Sequence, residues 1–188
     1  MTRVYRLLRA PYASHPFNGE GAFRFGGRWS SPGTRIVYSS EHQSLALLEY
    51  FVHLTPSDSP ADLVLATADV PDALTDRVGI GSLPPNWRQS PAPAALARIG
   101  DEFIRRGQNV ALLVPSALAT TDYNWLLNPQ HSEFRRIVVH PVTPFRYDQR
   151  LIAGKSTHPV PAKIRLLKPE KQGKSLPCGA FCPLLSSI

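Results

Sequence analysis

Cysteine is scarce in this sequence and absent from most of it. The 188 residues contain two cysteines, Cys178 and Cys182, which lie close to the C-terminus. A disulfide framework is therefore excluded for the rest of the chain, which is long enough to be stabilised by a hydrophobic core alone. The two cysteines do not have the Cys-x-x-Cys spacing of a redox or metal pair, and we interpret them as incidental.

Long hydrophobic runs are also missing. The best apolar run extends from Val110 to Val114, far short of the roughly 18 residues that a membrane-spanning helix needs. Residues 1–15 alternate arginine with leucine and tyrosine and lack the apolar segment of a signal peptide. We therefore expect a cytoplasmic protein that does not interact with membranes.

Acidic residues are nearly absent from the last part of the chain. Residues 151–188 carry six basic side chains, five of them lysine, and one acidic side chain, Glu170, whereas residues 1–150 carry 15 basic and 13 acidic ones. The basic segment also holds five prolines and shows no helical or strand periodicity. We predict one domain over residues 1–150 and a flexible, lysine- and proline-rich tail over residues 151–188. The net charge of +7 therefore indicates little about what the domain binds.

Hydrophobic periodicity in the first 150 residues predicts strands alternating with helices. Helices are expected over residues 44–54 and 91–106. Strands are expected over six segments: 4–9, 35–39, 62–70, 109–114, 135–140 and 145–150. Because neither an internal repeat nor a parallel βαβ order is evident, we predict a single α+β domain with small mixed or antiparallel sheets and flanking helices.

Four local patterns add detail to this prediction. Residues 12–34 are rich in glycine and aromatic residues, which indicates a long, ordered and functional loop. Ser40 and Gln43 have the spacing of a capping box before the first long helix. The apolar stripe of that helix is predicted to consist of Leu45, Leu48 and Val52. Residues 124–129 (Asn-Trp-Leu-Leu-Asn-Pro) are predicted to form a loop.

The motifs of several common chemistries are absent as well. The sequence has no phosphate-binding loop, no dinucleotide-binding glycine motif after a strand, and no His or Cys pair at metal-ligand spacing. We therefore expect no metal centre and no permanently bound cofactor. Ser116 lacks the glycine-flanked turn that presents the nucleophile of a serine hydrolase.

Four single residues remain as candidates, each with an ordinary structural alternative. Arg28, in the glycine-rich segment, could bind a phosphate, or it could pair with a surface carboxylate. Tyr38 could stack on a planar ring or belong to the core. Glu49 lies on an apolar helix, where a buried carboxylate needs a partner or a function, unless it faces solvent. Ser116 follows a strand and could be a simple turn residue.

Together these residues lie in segments that resemble the RES-domain family, from Val4 to about Arg150. The most specific segments are Phe17-Asn-Gly-Glu-Gly21 and Gly26-Gly-Arg28-Trp29-Ser-Ser-Pro-Gly33. The others are Ile36-Val-Tyr38-Ser39, Ala46-Leu-Leu-Glu49, Val114-Pro-Ser116 and Asn124-Trp-Leu-Leu-Asn128-Pro129. The family takes its name from an arginine, a glutamate and a serine, which match Arg28, Glu49 and Ser116.

The resemblance implies a fold similar to ADP-ribosyltransferases and NAD+ as the substrate. Members of the family degrade NAD+ by hydrolysis, or by phosphorolysis with inorganic phosphate as co-substrate, and some transfer ADP-ribose to a protein. The resemblance also implies a toxin that is neutralised by an Xre-like helix-turn-helix antitoxin, which occludes its active site. An alternative from another class is a non-catalytic module whose basic tail binds nucleic acid in a salt-dependent way. The folded domain itself is not expected to bind nucleic acid.

The resemblance further implies a role for each matching residue. Glu49 is expected to stabilise the positive charge that develops on ribose as nicotinamide leaves, or to hold the ribose 2′-hydroxyl. Arg28 is expected to bind phosphate or ribose, Tyr38 to stack on nicotinamide, and Ser116 to form a hydrogen bond with nicotinamide or ribose. The expected substrate-binding set is completed by Gly27, Trp29 and Asn128.

Overall fold

The computed structural model describes residues 1–54, 60–148, 150 and 151. Apart from its first residue, the predicted tail lies outside the described residues, and so do both cysteines. The domain boundary after residue 150 therefore stays a prediction.

Eight strands and three α-helices form the described part of the chain. The strands are β1 (Thr2–Arg9), β2 (Val37–Ser40), β3 (Leu63–Val70), β4 (Thr75–Arg77), β5 (Ala111–Pro115), β6 (Tyr123–Leu127), β7 (Val138–Val139) and β8 (Thr143–Phe145). The helices are α1 (Glu20–Phe25), α2 (Gln43–Phe51) and α3 (Ala94–Arg106). None of these helices is both long enough and apolar enough to cross a membrane.

The described strands join in one mixed sheet. The strand order is β4-β5-β6-β2-β1-β3-β7, and β8 also pairs with β3. Every pair is antiparallel except β4 and β5, which are parallel and are connected through α3. The predicted α+β class is confirmed, although this one βαβ connection is not evident from the sequence pattern.

Successive side chains of each strand point to opposite faces of the sheet, and both faces carry buried apolar residues. On one face, Val4 of β1, Ala68 of β3 and Trp125 of β6 belong to one buried cluster. On the other face, Leu112 of β5 and Leu126 of β6 pack with apolar residues of α3. The candidate site described below lies at one end of this second face.

Residues 12–34 are not a continuous loop, because α1 occupies Glu20–Phe25. Asn18 Oδ1 accepts the backbone N–H of Glu20 at 3.0 Å and supports the first turn of the helix. The Glu20 carboxylate then pairs with Arg35, from beyond the end of the segment, at 2.6 Å. The loop prediction is wrong for Glu20–Phe25, because this tertiary contact supports a helix that is too short to show a period in the sequence.

The capping box predicted before α2 does not form. His42 occupies the N-cap position without a side-chain hydrogen bond to the helix, and Ser40 is the last residue of β2. Of the predicted apolar stripe, Leu45 is buried, but Leu48 and Val52 are 43% and 52% exposed. The stripe is wrong because α2 packs on β1 and β2 mainly through its N-terminal half.

The loop predicted over residues 124–129 is mostly strand β6. This prediction is wrong because β2 and β5 pair with β6 from both sides, which supplies its backbone hydrogen bonds and buries Trp125 to Leu127. The strand predicted over 135–140 is shortened to β7, since Ser132–Arg136 forms a 3-10 turn. The last strand is β8, which lies earlier than the predicted 145–150.

Candidate active site

Three neighbouring strands bring polar side chains to the same edge of the sheet. β2 ends at Ser40, Ser116 follows β5, and Asn124 lies at the start of β6. Ser40 and Val114 are both register partners of Asn124, one on each side of β6. Because directly opposed residues in an antiparallel pair point to the same face, Ser40 and Asn124 lie on the face that α3 covers.

The carboxylate of Glu49, on α2, is the centre of this polar cluster. Its Oε1 atom accepts a hydrogen bond of 2.9 Å from Ser116 Oγ and one of 2.6 Å from Asn124 Nδ2. Ser116 is buried, and its Oγ accepts the backbone N–H groups of Leu118 and Ala119 at 3.1 and 3.2 Å. Because these groups occupy the hydroxyl lone pairs, the hydroxyl proton is directed at Glu49. The Glu49 side chain is thus half-buried and paired, not a simple solvent-facing glutamate.

Asn124 and Ser40 are site residues that the sequence reasoning misses. Asn124 Oδ1 accepts the Ser40 hydroxyl at 2.7 Å, so the amide is held at both of its polar ends. The sequence does hold a signal for Asn124, which is the one polar amide in the otherwise apolar segment Tyr-Asn-Trp-Leu-Leu. Asparagine is disfavoured in strands, so its position there is unusual. Ser40 has no comparable signal, because its spacing to Gln43 favours a helix cap.

Arg28 lies in the turn between α1 and β2 and is held by backbone carbonyl groups. Its Nη1 donates to the carbonyl oxygens of Trp87 at 2.9 Å and of Gln89 at 3.2 Å. Within the described residues Arg28 forms no ion pair, so the surface-carboxylate alternative is not observed. Burial lowers the pKa of the Arg28 guanidinium, and the Glu49 carboxylate acts in the opposite direction. The two charges therefore interact across the site.

Tyr38 lies two residues before Ser40 on β2 and is fixed at its hydroxyl. Its Oη accepts the backbone N–H of Trp29 at 3.0 Å and lies 2.9 Å from Ser30 Oγ in a second hydrogen bond. Burial raises the pKa of Tyr38 to about 12, so the phenol stays neutral near pH 7. A Cβ at Gly27 would lie 2.7 Å from Oη, so glycine is needed for the turn to approach the ring this closely. Stacking of nicotinamide on Tyr38 stays a prediction.

The structure does not bring Trp29 and Asn128 to the cluster around Glu49. The Trp29 side chain is 2% exposed and packs in the core beside α3. Asn128 follows the opposite end of β6, about 13 Å from Asn124 at 3.3 Å per residue. Its Oδ1 accepts the backbone N–H of Gln130 at 3.0 Å. Both side chains have structural contacts, and substrate binding by either stays a prediction.

One group with possible metal ligands lies just beyond Ser40. Glu41, His42 and Asp122 each offer a ligand atom, and these atoms lie within 4.8 Å of one another. Glu41 also accepts the backbone N–H of Tyr123. Such polar groups are common on protein surfaces without an ion, and the expectation that no metal takes part stays a prediction.

A comparison with solved structures gives the class of fold. The crystal structure of the MbcT–MbcA toxin–antitoxin complex of M. tuberculosis contains a chain that matches with a TM-score of 0.64, over 83% of this chain and 90% of that chain. The two sequences are 19% identical, so the match bears on the fold alone. Together with the mixed sheet, it assigns the domain to the α+β folds of the ADP-ribosyltransferase type.

Sequence comparisons give the family. The family model for the RES domain matches residues 3–148. A protein named Toxin Res, from Yersinia enterocolitica, is 35% identical over 150 residues, which are 79% of this chain and 98% of that protein. The Prs ADP-ribosylating toxin of a Sphingobium species is 33% identical over 144 residues, which are 75% of this chain and 89% of that protein. The chain belongs to the RES-domain family, as its motifs predict.

Proposed function

We propose that this chain is the toxin of a toxin–antitoxin pair and that it consumes NAD+ by cleaving the bond between nicotinamide and ribose. The observation that carries the proposal is the Glu49 carboxylate. Its Oε1 atom is engaged by Ser116 and Asn124, while no described residue forms a hydrogen bond to Oε2. A half-buried carboxylate with one open oxygen, which interacts electrostatically with the Arg28 guanidinium, suits a sugar that becomes positively charged as it reacts. The toxin names of the RES relatives support the biological role.

The reaction depends mainly on stabilising charge at the ribose. As the bond to C1′ breaks, its electron pair leaves with the nicotinamide nitrogen, which becomes neutral, and the sugar becomes oxocarbenium-like. Glu49 Oε2 stabilises this cation or holds the 2′-hydroxyl, and one preorganised group of this kind contributes about 3–4 kcal/mol. Attack by water gives ADP-ribose, nicotinamide and a proton. Attack by phosphate gives ADP-ribose 1″-phosphate and nicotinamide.

Arg28 and Tyr38 support the same substrate. Arg28 uses Nη1 for two carbonyl groups, and its other N–H groups donate to no described residue, so they are open to a phosphate of NAD+. Tyr38 presents a neutral ring that is fixed at its hydroxyl, which lowers the conformational cost of stacking a planar ring on it.

The partner that we propose is an antitoxin that covers the site, of the Xre-like helix-turn-helix type that the family resemblance implies. The fold match to a chain of a toxin–antitoxin complex supports an antitoxin as partner. An enzyme that consumes NAD+ without restraint would stop the growth of the cell that makes it. Occlusion of Glu49 would remove that activity.

A second candidate function is the transfer of ADP-ribose to a specific protein. The name of the Sphingobium relative, Prs ADP-ribosylating toxin, favours it. The same bond to nicotinamide would break, but a side chain of the target protein would attack the sugar instead of water or phosphate. Labelled NAD+ in a lysate would then leave one labelled protein band instead of free products.

The proposal is tested by inducing the chain in a bacterial host and following growth and total NAD+. The wild type is expected to deplete NAD+ and arrest growth, and Glu49→Gln to do neither, because the amide cannot stabilise the cation. Glu102→Gln is the matched control, since Glu102 is a glutamate on α3 whose carboxylate pairs with Arg105 and Arg106 instead of the site. Full NAD+ depletion by Glu49→Gln would contradict the proposal. Arrest with intact NAD+ and a labelled protein would favour the second candidate.

A further inference from the structure

Asn124 forms the shortest hydrogen bond that the structure gives to Glu49. Its Nδ2 atom lies 2.6 Å from Glu49 Oε1, and its Oδ1 atom lies 2.7 Å from Ser40 Oγ. The amide therefore links the end of β2 to the carboxylate on α2. Neither Asn124 nor Ser40 is among the residues that name the family.

The chemistry of the groups determines which way this amide points. A carboxylate accepts hydrogen bonds but does not donate them, so the atom of Asn124 that faces Glu49 must be the donating Nδ2. Oδ1 then faces Ser40, whose hydroxyl can donate to it. Ser40 belongs to the strand that pairs with β6, and this pairing holds the Asn124 side chain in place.

Packing alone would favour another residue type at position 124. Asn124 is the second residue of β6, directly opposite Ser40 on one side and Val114 on the other. Asparagine is disfavoured in strands, whereas β-branched residues pack well there. The side chain is half-buried, and its contact with Glu49 is the feature that the asparagine supplies.

We propose that Asn124 is a positioning residue for Glu49, and that Ser40 orients its amide. The Asn124 amide, with Ser116, holds Oε1 so that Oε2 is presented to the ribose. This inference rests on the proposed cleavage of NAD+. It adds a residue that acts on the catalytic carboxylate without touching the substrate itself.

The order of effects in two variants tests the proposal. Asn124→Asp keeps the shape of the side chain but replaces the donor with a second carboxylate beside Glu49 Oε1, where like charges repel. Asn124→Ala removes the donor without adding charge. We expect kcat for nicotinamide release to fall by about 10- to 100-fold in Asn124→Ala, the range for one hydrogen bond to a charged group. A larger loss is expected in Asn124→Asp, and the KM for NAD+ should change by less than about threefold.

If Asn124 had only a packing role, the opposite order of kcat would be expected. Asn124→Asp, which keeps the shape of the side chain, would then retain more activity than Asn124→Ala. That order, or a loss confined to KM, would overturn the proposal. Ser40→Ala should lower kcat less than either variant, and an unchanged kcat would contradict the orienting role. If an Asn124 variant fails to fold, the Ser40 variant still gives this test. Asn109→Asp makes the same chemical change just before β5, at the opposite end of the strand from Ser116, and serves as the control.

A spectroscopic measurement separates this inference from the proposed function. An amide proton donated to a carboxylate at 2.6 Å is strongly deshielded, so the Asn124 side-chain NH2 resonance of the full-length protein should move when Glu49 is changed to Gln. It should not move in Glu102→Gln. A resonance that is unaffected by Glu49→Gln would refute the contact. A moved resonance in a protein that leaves NAD+ intact would keep the contact and reject the proposed reaction.

Discussion

Helix α3 contacts the Arg28 turn at Gly100, and this contact predicts a large effect of one methyl group. A Cβ at Gly100 would lie 1.8 Å from the carbonyl oxygen of Trp29 and 3.2 Å from Ile36 Cδ1. Since real Cβ contacts below 3.0 Å hardly occur, the helix and the turn must separate by about 1 Å or more in Gly100→Ala. Trp29 directly follows Arg28, so this displacement reaches the guanidinium.

The magnitude follows from two opposing effects on stability. Alanine inside a helix is favoured over glycine by roughly 0.5–1 kcal/mol. Overpacking a tight contact costs about 1–3 kcal/mol, and the upper part applies here because a backbone oxygen cannot rotate away. We expect the free energy of unfolding to fall by about 1–2 kcal/mol. Misplacement of a substrate-contacting group by about 1 Å also predicts a loss of about 100-fold in nicotinamide release.

Urea denaturation measures the expected fall in the free energy of unfolding, and an assay of nicotinamide release measures the expected loss of activity. Gly81→Ala is the matched control, because no atom lies within 4 Å of a Cβ at that glycine and its φ does not lie in the left-handed region. The control should retain the stability and activity of the wild type. A Gly100→Ala protein that is at least as stable as the wild type, with full activity, would refute the close contact between α3 and the turn.

Two further predictions concern stability. Tyr38→Phe removes the hydrogen-bond acceptor of the Trp29 N–H and should lower the free energy of unfolding by about 1–3 kcal/mol. Urea denaturation measures this, and an unchanged midpoint at equal m-value would contradict it. The hydrogen bond from Arg3 holds the pKa of Asp69 well below its usual range. The ionised Asp69 carboxylate therefore stabilises the fold fully at pH values above the pKa of an unfolded-state aspartate, about 3.9. This stabilisation is lost as the pH falls towards the lower pKa of Asp69 in the folded state. The stability difference between wild type and Asp69→Asn should shrink as the pH is lowered from about 5 to about 2, and a difference independent of pH would contradict this.

The sequence predicts those helices and strands whose apolar residues recur at regular helical or strand spacing. The predicted strand over residues 62–70 and the predicted helix over 91–106 agree closely with β3 and α3. β6 is missed because Asn124 and the Asn128-Pro129 pair after the strand favour a loop, and only pairing with β2 and β5 makes the segment a strand. Tertiary context outweighs local propensity in such a segment.

The candidate site is predictable as a set of residue types, but its geometry is not. Resemblance to the family identifies Arg28, Glu49 and Ser116. The partners of Arg28 are carbonyl groups 59 and 61 residues away, and a sequence pattern has no signal for backbone acceptors. Asn124 meets Glu49 because two antiparallel strands and α2 converge at one edge of the sheet, a contact between residues 75 positions apart.

The most direct test of the central claim is the conversion of NAD+ by the purified protein, freed of any bound partner. With NAD+ labelled in the nicotinamide ring, the account predicts release of free nicotinamide by the wild type and a loss of about 100-fold or more in Glu49→Gln. Addition of phosphate distinguishes ADP-ribose from its 1″-phosphate as the second product. Folded wild-type protein that leaves NAD+ intact, with and without phosphate, would contradict the account.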